Sequence, residues 1–210
     1  MIATTLVFTG CKKDQEDENN NGVTVSGTIA GYDYVDLGLP SGLKWATCNI
    51  GANTPEGYGN YYAWGETTTK SEYTEENSVT MGQPMSDFSG NATYDAARAN
   101  WGGTWRMPTK AEMQELHDNC TWTRTTQNGV NGMRVTGSNG NSIFLPAAGW
   151  CYGSSREYVG EYVGEYGYYW SSTPNESETI LACILLFDNA HLGVGWVARR
   201  YGRPVRPVSD

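Results

Sequence analysis

The chain has 210 residues, the size of one ordinary domain able to bury a core, and 39% hydrophobic against 18% charged residues excludes an intrinsically disordered protein. A formal net charge of −9 excludes a nucleic-acid binder, which needs a basic face to displace phosphate counterions. The 26 Gly, 14 Tyr and 8 Trp point to a loop-rich fold with many tight turns around large aromatic side chains.

Residues 2–10 are uncharged and mostly small or apolar, and they run into Phe8-Thr9-Gly10-Cys11. An apolar run closing on small residues before a Cys resembles the lipobox of bacterial lipoproteins. The resemblance implies that residues 1–10 are the remnant of a signal peptide and that Cys11 is the lipidated first mature residue. The tract has no basic n-region and its apolar stretch is at the short end of the usual ~7–15 residues, so a start codon upstream of Met1 is expected. Residues 12–22, KKDQEDENNNG, offer nothing to bury and read as a solvated tether. Their acidic run resembles the surface-export signals of gut-bacterial lipoproteins. No stretch approaches the ~20 apolar residues of a membrane span, so membrane contact is expected through the lipid alone. These features divide the chain into residues 1–10 (leader), 11–30 (tether and opening strand) and 31–210 (one domain), placed at the outer membrane and facing outward.

Residues 23–29 alternate apolar and polar side chains and read as the opening strand. Residues 34–39 and 43–48 read as two further strands across a Pro40-Ser41-Gly42 turn, and 71–91 as a long polar excursion. Two helices are expected. The first covers 95–100 with Asp95 as its cap, and Trp101-Gly102-Gly103 ends it. The second follows Pro108 and runs to about Asn119. Thr109 and Glu112 stand at capping-box spacing there, while Ala111, Met113 and Leu116 form its apolar side. Residues 133–146 read as a hairpin around Asn139-Gly140. Residues 157–166 hold a short repeat, EYVG-EYVG-EY, too brief for a solenoid. Residues 168–172, 180–187 and 202–208 read as strands. Helices clustered mid-chain between groups of strands predict an α+β architecture.

The chemistry on offer is sparse. The two His, His117 and His191, stand in no HExxH pattern, and there is no CxxC, P-loop or dinucleotide fingerprint, so no metal and no cofactor is expected. With Cys11 lipidated, Cys48, Cys120, Cys151 and Cys183 allow three pairings, of which Cys48 with Cys120 is favoured. Gly149-Trp150-Cys151-Tyr152-Gly153 has the spacing of a nucleophile elbow but lacks a following helical pattern, so it reads as a turn. The acidic pairs Glu75–Glu76 and Glu176–Glu178 read as solvated loop charges. Seven Trp, at 45, 64, 101, 105, 122, 150 and 170, read as core; Trp196, in the irregular stretch 188–198, reads as exposed.

Several longer motifs carry a family resemblance. They are YVDLGLPSGLKWA at 34–46, YAWGE at 62–66, WGGTWRMPT at 101–109, LPAAG at 145–149, YWSS at 169–172 and VRPV at 205–208. Together they resemble the Fibrobacter succinogenes major paralogous domain over residues 32–208. The resemblance implies a C-type-lectin-like, α+β domain related to formylglycine-generating enzymes, with two helices packed on a twisted antiparallel sheet. It does not carry an activity over. Those enzymes need a pair of reactive Cys near the C-terminus, where Cys183 stands alone. The Glu-Pro-Asn and Trp-Asn-Asp motifs of calcium-dependent lectins are missing too. No catalytic residue and no enzyme activity are therefore expected.

The same resemblance brings in variable proteins diversified by retroelements, whose mutated Asn codons cannot become Lys, Glu, Gln, Met or Trp. Residues 179–203 contain no Lys, Glu, Gln or Met, and only Trp196 breaks the rule. Chance in a short apolar strand accounts for this equally well. The leading expectation is a surface-displayed binding domain whose contacts to a protein or glycan come from Ile184, Leu186, Asp188, His191, Leu192, Trp196, Arg200 and Tyr201. Ala182 and 185–187 cannot all point one way in a regular strand, so a bulge or bend is expected there. The alternatives are a structural or adhesive scaffold and, less favoured, an enzyme related to the formylglycine-generating group.

Overall fold

The computed structural model describes residues 24–153 and 162–210. The leader, Cys11, the tether and the first half of the EYVG repeat lie outside the described residues. Ten strands and two helices form among the described residues. β1 (Gly27–Ile29), β2 (Tyr32–Asp36) and β3 (Lys44–Ala46) join β10 (Val208–Ser209) in one sheet of order β1-β2-β3-β10. A second sheet holds β4 (Thr121–Gln127), β5 (Val130–Thr136) and β6 (Ser142–Pro146). A third holds β7 (Gly167–Pro174), β8 (Leu181–Phe187) and β9 (Leu192–Ala198). Every strand pairing is antiparallel.

This corrects the expected fold class. Three antiparallel sheets with only α1 (Ala96–Trp101) and α2 (Lys110–Asn119) make a β-rich fold, not an α+β, C-type-lectin-like arrangement of two helices on one sheet. Two unread strands account for the difference. β4 is TWTRTTQ, a run of β-branched and aromatic residues that favours extended backbone. It turns into β5 through Asn128-Gly129, both at positive φ (49° and 82°), between paired Gln127 and Val130. That is the geometry of the two-residue hairpin loop, which Asn-Gly favours. β9 looked irregular because Gly193 and Gly195 interrupt its apolar pattern, yet it pairs with β8 along its whole length.

The local helix signals form as read. Thr109 Oγ1 accepts from the Glu112 backbone N–H, and the Glu112 carboxylate accepts from the Thr109 N–H, closing the capping box. Asp95 caps α1 and does more. Its carboxylate accepts from the N–H groups of Ala97, Arg98, Gly90 and Met107, tying the helix to the loops on both sides. The 133–146 hairpin also forms, as β5 and β6.

The β7-β8-β9 sheet lies between two apolar clusters. Leu185, Phe187, Leu192 and Val194 pack with Met113 and Leu116 of α2 and with Val35, Trp45 and Ile143. Ala182, Ile184 and Leu186 pack on the other side with Trp64, Met107, Trp170 and Val205. β8 is thus apolar on both faces, as a central strand covered on both sides should be. The bulge expected in β8 is absent: the β8–β9 register is unbroken, and the shift falls in β7, between Trp170 and Pro174. Residues 202–209 are buried, so most of the expected closing strand is core backbone held by isolated bridges, Tyr62 to Arg203 and Cys151 to Gly202 among them.

Candidate functional site

The buried C-terminal segment carries Arg199, Arg203 and Arg206, and the fold treats them differently. Arg206 donates to Asn49 Oδ1 (2.8 Å) and to the carbonyls of Ala46 (3.1 Å), Thr47 (2.8 Å) and Phe144 (3.0 Å). Arg199 donates to the carbonyls of Leu181 (3.0 Å), Thr80 (3.0 Å) and Gln83 (2.8 Å), and it stacks on Trp64 at 4.3 Å. Arg203 is just as enclosed, at 3% exposure, but its Nε and Nη1 have no acceptor. Its guanidinium is surrounded by ring faces instead: Tyr168 at 4.6 Å, Trp170 at 5.2 Å, Tyr201 at 5.4 Å and Trp150 at 5.7 Å. Burial pulls its pKa down to about 10, which leaves it cationic at neutral pH.

An aromatic surface lies over this cation. Tyr152 is 41% exposed and meets Tyr201 at 5.4 Å. The Arg200 guanidinium covers Tyr201 at 5.1 Å and Tyr152 at 5.7 Å, and its Nη1 reaches Glu75 Oε2 at 2.9 Å. Trp150 stacks on Tyr162 (4.3 Å, 18°) and takes Tyr168 edge-on at 5.1 Å. Local chain geometry explains the placement. The Cys151 backbone bridges to Gly202, and its side chain is buried with Ala63 and Tyr73. Its neighbours Trp150 and Tyr152 then point the other way. Gly202 must be glycine, because a Cβ there would meet the Tyr73 ring at 2.7 Å.

The expected contact residues divide into five groups. Ile184 is a correction: it is 0% exposed and packs in the second cluster, because β8 is the middle strand of its sheet. Leu186 and Leu192 are half-buried against the two clusters. Asp188 shapes the β8–β9 turn, accepting from the Ala190 and His191 N–H groups at 2.6 and 2.7 Å and pairing with the exposed His191 ring. Those backbone bonds, with the His191 contact, hold its carboxyl below the ordinary range. Trp196 is 38% exposed and sits under Lys110 of α2 at 4.9 Å, in none of the ring contacts of the Tyr152–Tyr201 group. Arg200 and Tyr201 alone join that group. The reading from sequence missed Trp150, Tyr152, Tyr168 and Arg203. The alternation of Trp150 and Tyr152 about Cys151 is the available signal, and Trp150 is half-buried at the edge of the group instead of lying in the core.

Residues 106–208 match the family model described as Domain of unknown function (DUF8237). No curated protein and no solved structure matches the chain. The match includes Trp150, Tyr152, Tyr168, Arg200, Tyr201 and Arg203, so the aromatic group lies within that region of the chain.

Two of the thiols are held in the protonated form. Burial raises Cys120 and Cys183 to about 11, keeping both protonated at neutral pH. Cys120 carries a thiol, so the favoured Cys48–Cys120 pairing is not made. His117 pairs with Asp118 and His191 with Asp188. Among the described residues no three His, Cys, Asp or Glu converge on a point that could hold a metal ion.

Proposed function

We propose that this chain is a ligand-binding domain held at the outer surface of a bacterial cell by a lipid on Cys11. Its contact surface is the Tyr152–Tyr201–Arg200 group with Trp150 and Tyr168 beside it. The observation that carries the reading is Tyr152, 41% exposed and packed against Tyr201 under a guanidinium. Tyr, Trp and Arg are the residue types that concentrate binding energy at contact sites, because they bury large areas at low entropic cost and still offer polar groups. A surface group of this kind contributes little to the core and therefore needs another reason to be there.

A screen of the purified domain against glycans and cell-surface proteins tests the reading, with Tyr201→Ala and Trp196→Ala run in parallel. Loss of the hit in Tyr201→Ala but not in Trp196→Ala is expected; the reverse would move the contact surface onto α2 and β9. Cys11→Ser should release the protein from membranes, and protease added to intact cells should remove the wild-type domain.

A scaffold role without a ligand is the second reading, and one observation favours it. β8 is buried on both faces, so the lack of Lys, Glu, Gln and Met over residues 181–187 follows from packing alone. Diversification then rests on the remaining positions. Codons ending in C there, with an Asn-rich template copy nearby, would support it; other codon endings would remove it.

A further inference from the structure

We infer that the ligand of the aromatic group is an acidic carbohydrate whose anionic substituent is neutralised by Arg203. The inference rests on the binding reading above and adds the chemical class.

Three buried arginines differ in the acceptors around them. Arg206 has four close acceptors, and Arg199 has three with only its Nη2 left without one, so this fold supplies oxygen to a buried guanidinium where it uses one structurally. At Arg203 it supplies none: Nε and Nη1 are enclosed without an acceptor, and no carboxylate pairs with the side chain among the described residues. A buried cation without oxygen opposite it is costly. Ring faces offset part of that cost through cation–π attraction, and four surround it, but they leave its hydrogen-bonding capacity unused. An anion brought by a ligand completes the site. The nearby Arg200 differs, since its Nη1 pairs with Glu75 Oε2 at 2.9 Å while its Nε has no acceptor.

The rings narrow the class. Tyr201 sits against both guanidinium groups, and exposed Tyr152 meets it at an interplanar angle of 56°. A pyranose ring with an apolar C–H face and one acidic substituent fits such walls, with that face on the aromatics and its anion on the guanidinium. An extended acidic peptide would need several cations in a row. Among the described residues of this site Arg203 is the one guanidinium without an acceptor, and the net charge of −9 also disfavours long polyanions.

Calorimetric titration of the full chain decides the matter with two matched pairs. They are oligogalacturonate against its methyl ester, and a κ-carrageenan oligosaccharide against its desulfated form. The acidic member of at least one pair should bind tenfold or more tighter than its neutral partner, and the pair that responds identifies a carboxylate or a sulfate. Arg203→Met should abolish the preference while leaving the melting temperature nearly unchanged, because the unsatisfied cation it removes from the interior offsets the ring contacts it loses. Should that variant fail to fold, Arg203 is structural, and the wild-type acid-against-neutral comparison still decides. Equal binding within both pairs, lost in Tyr152→Ala, would overturn the anion assignment and keep the contact surface. Tighter binding of a tetra-aspartate peptide than of any sugar would overturn the carbohydrate class. No binding of any probe would overturn the inference, while a protein hit in the screen above would still support the surface.

Discussion

Replacing Arg206 with Met removes the guanidinium that holds four buried oxygens: Asn49 Oδ1 and the carbonyls of Ala46, Thr47 and Phe144. Each bond from a charged donor is worth about 1.5–3 kcal/mol net, and each orphaned buried acceptor costs about 1–3 kcal/mol. These terms overlap, and Met recovers part of the loss by packing its own stem, so about 4–6 kcal/mol in total is expected. That approaches the whole stability of an ordinary domain, about 5–15 kcal/mol. At about 2–4 °C per kcal/mol for a domain of this size, the melting temperature should fall by about 8–24 °C. Arg203→Met removes no hydrogen bond from the guanidinium and should shift stability by less than about 1 kcal/mol in either direction. Urea titrations followed by Trp fluorescence measure both variants against wild type. Two variants of equal stability, or Arg203→Met as the worse one, would refute the reasoning that hydrogen-bond satisfaction separates structural from functional arginines here.

Gly202→Ala places a Cβ 2.7 Å from the Tyr73 ring, and Tyr73 is itself fixed by its hydroxyl bond to the Tyr61 carbonyl. A loss of about 1–3 kcal/mol is expected in the same urea assay. Asp210 has its carboxyl held below the ordinary range, chiefly by its bond to Arg106. A depressed folded-state pKa contributes stability above the ordinary carboxylate pKa that is lost as pH falls through the folded value. Asp210→Asn should therefore flatten the acid limb of the stability curve by lowering the neutral-pH plateau toward the unchanged acid value, a small loss because the Asp210 side chain is 81% exposed. Cys120 and Cys183, raised to about 11 by burial, should resist iodoacetamide at pH 8 in the native state and react readily in denaturant.

What the sequence made legible was local. Thr109 and Glu112 announce α2 because a capping box needs only four residues, and Asn139-Gly140 announces the β5–β6 hairpin because its turn chemistry is self-contained. The Asn128-Gly129 turn carried the same signal and went unread, which cost β4 and with it the fold class. Ile184 could not be placed correctly from periodicity, since a strand covered on both faces has no polar side to mark its orientation. The Arg203 cage was out of reach altogether. Its walls come from residues 150, 168, 170 and 201, which sheet pairing and the Cys151–Gly202 bridge bring together, and no spacing along the chain records that.

The account's central claim is that the ring pair at positions 152 and 201 touches the ligand. The dissociation constant of a Tyr152→Ala, Tyr201→Ala double variant for the tightest wild-type partner tests it most directly. A weakening of at least thirtyfold (about 2 kcal/mol) in a variant that remains folded at the assay temperature is predicted. An affinity equal to wild type in a folded double variant would contradict it.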